Sequence, residues 1–152
     1  MMLAALSMTE PWGTLVALGV KAWETRSWRP SRAAENQWLA IHTARRFPPE
    51  ARVLCLRDPW RKALTLTGKS SADELPLGYI VGVAFLKKAE PTIQVISRIE
   101  EQERLLGNYE PGRWAWPFSH SIYFHKAIVC RGAFGIWKVP ESIAREVWRQ
   151  MQ

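Results

Sequence analysis

Apolar residues recur along this chain in several rhythms, and each change of rhythm marks an element. Residues 3–8 predict a first strand. Pro11 at a helix start, followed by Leu15, Val16 and Leu18, predicts a short helix capped by Gly19. Residues 23–29 predict a second strand. Residues 37–43 predict a third, in which Trp38, Ala40 and His42 oppose Leu39 and Ile41. Pro48 and Pro49 open a helix predicted to reach residue 58 or beyond, with Val53, Leu54, Leu56 and Trp60 on its buried side. Residues 64–75 read as a loop, since 68–73 contain no apolar side chain larger than alanine. Unbroken hydrophobicity over 79–86 predicts a strand buried on both faces. Residues 92–106 predict one helix with mixed charges at its centre. The closing strands are predicted at 113–116, 121–130 and 133–139, and a terminal helix at 141–151. Helices fall between strands without the regular alternation of a parallel sheet. The expected fold is α+β, a mixed β-barrel of about five to six strands flanked by several α-helices.

At 152 residues the chain has the length of one domain, 1–152, and can bury a core without staples. Its hydrophobic fraction of 47% and charged fraction of 23% are those of a soluble globule. No apolar run approaches a membrane span, and the N-terminus lacks the pattern of a signal peptide, so a cytoplasmic location is expected. Cys55 and Cys130 have apolar neighbours and are expected to be buried, reduced thiols. No Cys-x-x-Cys or His/Cys spacing fits zinc. The only aspartates, Asp58 and Asp73, stand in no carboxylate cluster of the kind a metal-dependent nuclease needs. Neither a metal nor another cofactor is expected.

Charge changes this picture. The net charge is +7, and residues 21–62 hold ten cations against four acids. Arginine dominates, and its planar fork holds two phosphate oxygens at once. A basic surface can serve solubility alone. Clustering of the arginines, together with nine tryptophans, favours a nucleic-acid partner, because aromatic faces stack on bases. Most of the tryptophans must still be core.

The densest chemistry lies at Lys21, Glu24 and Arg26, with Trp12, Trp23 and Trp28 close in sequence. On an extended run Glu24, Arg26 and Trp28 share one strand face, and Lys21 reaches over it from the preceding turn. On spacing alone this reads as a surface ion-pair cluster. However, Gly19-x-Lys21-x-x-Glu24-x-Arg26 matches the Gly-x-Lys-x-x-Glu-x-Arg signature of ASCH domains, of the PUA-like superfamily of small RNA-associated β-barrels. Pro11-Trp12 resembles the family's opening, and Leu39 to Arg46 its second strand. Tyr109-x-Pro111-Gly112-Arg113-Trp114-Ala115-Trp116 and Arg131 to Val139 resemble its closing strands. The resemblance runs from about Leu6 to Pro140, nearly the whole chain.

This resemblance implies a PUA-like barrel whose central cleft is lined by Lys21, Glu24 and Arg26. It implies His42 opposite them, although one histidine among apolar residues is by itself more often structural. Catalytic candidates are Lys21, Glu24, Arg26 and His42. Nucleic-acid contacts are expected from Trp12, Lys21, Arg26, Ser27, Trp28, Arg45, Arg46, Tyr109 and Arg113. The turn from Tyr109 to Trp114 reads equally as a loop anchored by core aromatics or as a ligand contact. The expected partner is single-stranded RNA or a nucleotide, bound by a monomer. One alternative is a metal-independent ribonuclease or nucleoside-acting hydrolase in the same cleft, with Glu24 as base and His42 as acid. Another is a coregulator-type protein-interaction module. A related N4-acetylcytidine amidohydrolase carries a catalytic threonine where this chain has Glu24, so that mechanism does not transfer.

Overall fold

The computed structural model describes residues 2–152. Its elements run β1 (Ala4–Met8), α1 (Trp12–Ala17), β2 (Trp23–Arg26), β3 (Gln37–Thr43), α2 (Pro49–Leu54), α3 (Trp60–Leu64) and β4 (Tyr79–Leu86). There follow β5 (Glu90–Pro91), α4 (Thr92–Val95), α5 (Glu101–Leu106), β6 (Trp114–Val129), β7 (Ile136–Lys138) and α6 (Glu141–Gln150). The strands form a curled, half-barrel sheet in the order β2-β6-β4-β3-β1-β7, with β5 paired to the start of β6. Among the described residues only the β1–β3 pair is parallel.

The centre of the sheet follows from the most apolar segment. β4 lies between β3 and β6, and its residues from Ile80 to Ala84 are buried. Alternation then sorts side chains to two cores. Leu6, Met8, Leu39, Ile41, Val81 and Trp116 pack with Val16 and Ala17 of α1. Ala5, Ala40, Ile80 and Val83 face the other way, under Ala144 and Val147 of α6. Burial of such apolar area is the main stabilising term of the fold. Cys55 and Cys130 are both buried and unpaired.

Several predicted boundaries are corrected. The strand expected over 23–29 stops at Arg26, because its partner β6 starts at Trp114, opposite Arg26. Residues 27–29 therefore lie beyond the β2–β6 ladder. The helix expected from Pro48 to residue 58 ends at Leu54, and α3 resumes after Pro59, which lacks an N–H for the helical ladder. Its inward face is Ala51 and Cys55, one turn apart, whereas Val53 and Leu56 are 48% and 74% exposed. The helix expected over 92–106 is α4, a 3-10 turn at Ile96–Arg98, and α5. The chain is extended at Ile99 and Glu100, and Val95 and Ile99 pack on Ala115. The two strands expected over 113–130 are one, β6, which passes from β2 to β4 at Pro117 and Phe118. The loop over 64–75 contains two further 3-10 turns, Thr65–Thr67 and Ala72–Glu74.

Candidate functional site: a cleft beside β2

Gly19 ends the α1 region in the left-handed conformation, with φ of +76°, which glycine adopts at no steric cost. The turn sends Lys21 inward rather than over the surface. Lys21 is 1% exposed, and its Nζ donates to Glu103 Oε2 at 3.2 Å and to the Trp23 carbonyl. Glu103, on α5, also accepts the Ala22 N–H at 2.8 Å and the Tyr109 hydroxyl at 3.0 Å. Burial first, and then the charge of Glu103, push the Tyr109 phenol well above its ordinary pKa, so it stays a donor. A cation and a carboxylate far apart in sequence thus clamp α5 onto the start of β2.

Glu24 and Arg26 do share a face of β2. Arg26 Nε donates to Glu24 Oε2 at 2.9 Å, and Arg26 Nη2 donates to the Ser7 carbonyl at 2.9 Å. Arg113 lies along the same strand, its Nη2 on the Thr25 carbonyl at 2.9 Å. Trp12 Nε1 donates to the Leu106 carbonyl at 2.8 Å and ties α1 to the end of α5. Together Trp12, Lys21, Glu24, Arg26, Trp60 and Arg113 line a cleft of about 690 Å³. Its volume is in the range of small-molecule and nucleotide sites, roughly 300–1,000 Å³. Glu50 and Asn108 complete its polar rim.

The remaining sequence candidates lie elsewhere. Tyr109 stands behind Lys21, whose Nζ is 5.9 Å from the ring centroid. Trp28 falls beyond the end of β2, edge-on to Trp116 with ring centroids 4.9 Å apart, and is not on the cleft wall. Ser27 and Arg46 are exposed outside the cleft. His42 is 2% exposed and faces a second cavity, of about 460 Å³, which Arg45 also lines. His42 Nδ1 meets Ser7 Oγ at 2.9 Å and its Nε2 meets the Cys130 carbonyl at 2.7 Å. Burial lowers the pKa of this imidazole, against the opposing pull of the Cys130 carbonyl. Glu24 and His42 therefore do not converge on one cavity.

Sequence reasoning missed Glu103, Asn108 and the cleft position of Trp60. Glu103 carried no local signal, because its partner lies at the other end of a fold-dependent contact. Among the described residues, no group of three or more His, Cys, Asp or Glu could hold a metal ion. Nor, among them, is any helix long and apolar enough to cross a membrane. Burial pushes the Cys55 thiol up to about 11, which leaves it a poor nucleophile at neutral pH.

Comparison with known proteins bears on this geometry. The chain resembles the solved structure of ASCH from Zymomonas mobilis at 12% identity, covering 96% of this chain and 93% of that one, with a TM-score of 0.58. A serine-to-alanine mutant of that protein matches at 14% identity, 96% and 94% coverage and a TM-score of 0.55. A tyrosine-to-phenylalanine mutant matches at 12% identity, 96% coverage of each chain and a TM-score of 0.57. At these identities the likeness speaks for the fold alone. No curated protein matches. The model of the ASCH domain matches residues 6–126, a span that holds the Lys21 turn, both arginines of the cleft and the sheet from β1 to most of β6. The chain belongs to the ASCH domain family.

Proposed function

We propose that this ASCH domain binds single-stranded RNA or a nucleotide in the cleft beside β2. ASCH domains share a fold generally associated with RNA binding. The observation that carries the reading is the composition of the wall. Arg26 and Arg113 meet the cleft beside two indoles, Trp12 and Trp60. Arginine forks suit phosphate oxygens, and indole faces suit unstacked bases. Glu24, Glu50 and Asn108 add acceptors and a donor for base edges. Lys21 serves differently: it is paired with Glu103 and only 1% exposed, whereas Arg26 beside Glu24 is 24% exposed, so Lys21 builds the cleft rather than gripping phosphate. The protein acts as a cytoplasmic monomer in this reading.

Binding is favoured over turnover by one arrangement. Glu24 is already paired with Arg26, and His42, the other half of an acid–base pair, opens onto a different cavity. The test is a titration of short labelled single-stranded RNAs and a duplex control over a salt series in chelator, scored for both retention and cleavage. Retention of single strands, weakening linearly in log salt, is expected. Absence of retention at low salt overturns the proposal. Cleavage that survives chelation replaces it with the ribonuclease alternative.

A further inference from the structure

Ser7 and His42 are register partners on the parallel β1–β3 pair, and their side chains point to the same side of the sheet. The Ser7 carbonyl accepts Arg26, whereas its hydroxyl turns to His42. The protonation of His42 follows from its neighbours. A carbonyl oxygen only accepts, so Nε2, 2.7 Å from the Cys130 carbonyl, carries the proton. Nδ1 is then a lone pair, and the Ser7 hydroxyl donates to it at 2.9 Å. Ser7 Oγ in turn accepts the Trp137 indole N–H at 3.1 Å. The result is a hydroxyl, a neutral base bonded to it, and a third group that holds the base in one tautomer. That is the constellation of an activated nucleophile.

Ser7 stands between two cavities, lining both the cleft beside β2 and the one that His42 faces. Ser7, His42, Arg45, Arg131, Gly132 and Phe134 line the cavity of about 460 Å³. Gly132 keeps it open at the critical point: a Cβ there would lie 2.8 Å from Ser7 Oγ and 2.5 Å from His42 Cε1. The N–H groups of Gly132 and Ala133 find no acceptor among the described residues, on a segment exposed to solvent. Arg45 and Arg131 make the wall cationic, and Phe134 stands fully exposed at its lip.

We propose that Ser7 and His42, with the Cys130 carbonyl as positioning group, form a second, nucleophilic site that cleaves carboxylic esters carrying an anionic group. Ser7 Oγ attacks the acyl carbon while its proton passes to His42 Nδ1. The new C–O bond forms as the carbon–alkoxide bond breaks, and the alkoxide leaves with the proton from Nδ1. Water then attacks the seryl ester, giving a proton to Nδ1, and the acid departs as Ser7 regains its hydrogen. Trp137 Nε1–H donates to Oγ and so directs the serine hydrogen toward His42 Nδ1. The indole's place in this step is donation to Oγ, so it is a positioning residue.

The experiment is labelling of the folded protein with a neutral fluorophosphonate, read by intact mass and peptide mapping, together with hydrolysis of p-nitrophenyl acetate and the p-nitrophenyl hemiester of succinate. One adduct on Ser7 is expected in wild type, absent after unfolding in guanidinium and absent in Ser7→Ala. His42→Gln, which removes the base and keeps Ser7, and Gly132→Ala, whose Cβ would crowd both side chains, are each expected to slow labelling at least 10-fold. The succinyl hemiester is expected to turn over at least 10-fold faster than the acetate, and Arg45→Ala with Arg131→Ala to abolish that preference. No adduct on Ser7 in folded wild type overturns the proposal, whatever the variants do. So does equal labelling of folded and unfolded chains.

Discussion

Lys21 and Glu103 meet at 3.2 Å from opposite parts of the chain, and the lysine has almost no contact with water. Removing one partner of such a pair leaves an uncompensated buried charge, at a cost of about 3–5 kcal/mol. Glu103→Ala is therefore expected to lower stability by that amount in urea unfolding. The double variant Lys21→Ala/Glu103→Ala is expected to lose clearly less than the sum of the single losses. Additive losses would show that Lys21 draws its compensation from elsewhere.

Among the described residues Arg113 meets the cleft without a carboxylate partner, and Arg26, although paired with Glu24, keeps 24% of its side chain exposed where Lys21 keeps 1%. Arg26→Ala and Arg113→Ala are each expected to weaken single-stranded RNA binding across sequences. Each is expected to flatten the slope of log affinity against log salt by about 0.7 for every phosphate that the arginine neutralises. Lys21→Ala is expected to act on the melting curve first. Unchanged slopes in both arginine variants move the nucleic-acid surface elsewhere.

Glu24→Gln preserves shape and removes a negative charge 2.9 Å from Arg26. The variant is expected to melt near wild type and to bind RNA as tightly or more tightly. If the wild-type protein cleaves RNA, this variant is expected to lose turnover by orders of magnitude while retaining affinity. Cleavage at the wild-type rate excludes Glu24 as a general base.

The tryptophans divide by position. Trp28→Ala removes the edge-on packing against Trp116 and lies off the cleft, so a stability loss of about 1–3 kcal/mol with unchanged RNA affinity is expected. Trp12→Ala is expected to reduce affinity by about the 1–3 kcal/mol of one base stack. Thermal melts beside RNA titrations of both variants decide it, and a large affinity loss in Trp28→Ala would place the ligand beyond the cleft.

Glu10 is fully buried and accepts the Thr14 N–H at 2.7 Å and the Thr14 hydroxyl. Burial raises its pKa from 4.5 to about 7, against the lowering effect of those bonds. Between these values the folded protein holds a proton that the unfolded chain has released. Unfolding free energy from this group is therefore fully present below 4.5 and falls as pH rises to about 7. The loss is on the order of 3 kcal/mol. Glu10→Gln is expected to remove this slope, so the stability difference between variant and wild type grows in the variant's favour across that window. Parallel pH profiles in chemical denaturation would place Glu10's titration at its ordinary value.

Much of this architecture is legible in the sequence because it rests on local rules. The unbroken apolar run of Tyr79–Leu86 could only be a central strand, and alternation in Gln37–Thr43 sorted its side chains. Gly19 announced a turn, and the spacing of Glu24 and Arg26 on an extended chain placed them on one face, as found. The family signature pointed to the cleft region. Where a residue's surroundings come from its own few neighbours, period and turn chemistry determine the outcome.

The remaining features arise from contacts between distant segments. Trp28 left the predicted face because β6 starts opposite Arg26, which nothing between residues 23 and 29 encodes. The helix over 92–106 broke because Val95 and Ile99 had to reach Ala115. Lys21 turned from a surface cation into half of a buried pair because α5 brings Glu103 to it. His42 parted from Glu24 because each strand of the sheet has two faces, and the curled sheet directs them to different cavities. Each of these outcomes depends on contacts between segments far apart in the chain. Such contacts are selected by the free energy of the whole core, so no local window carries them.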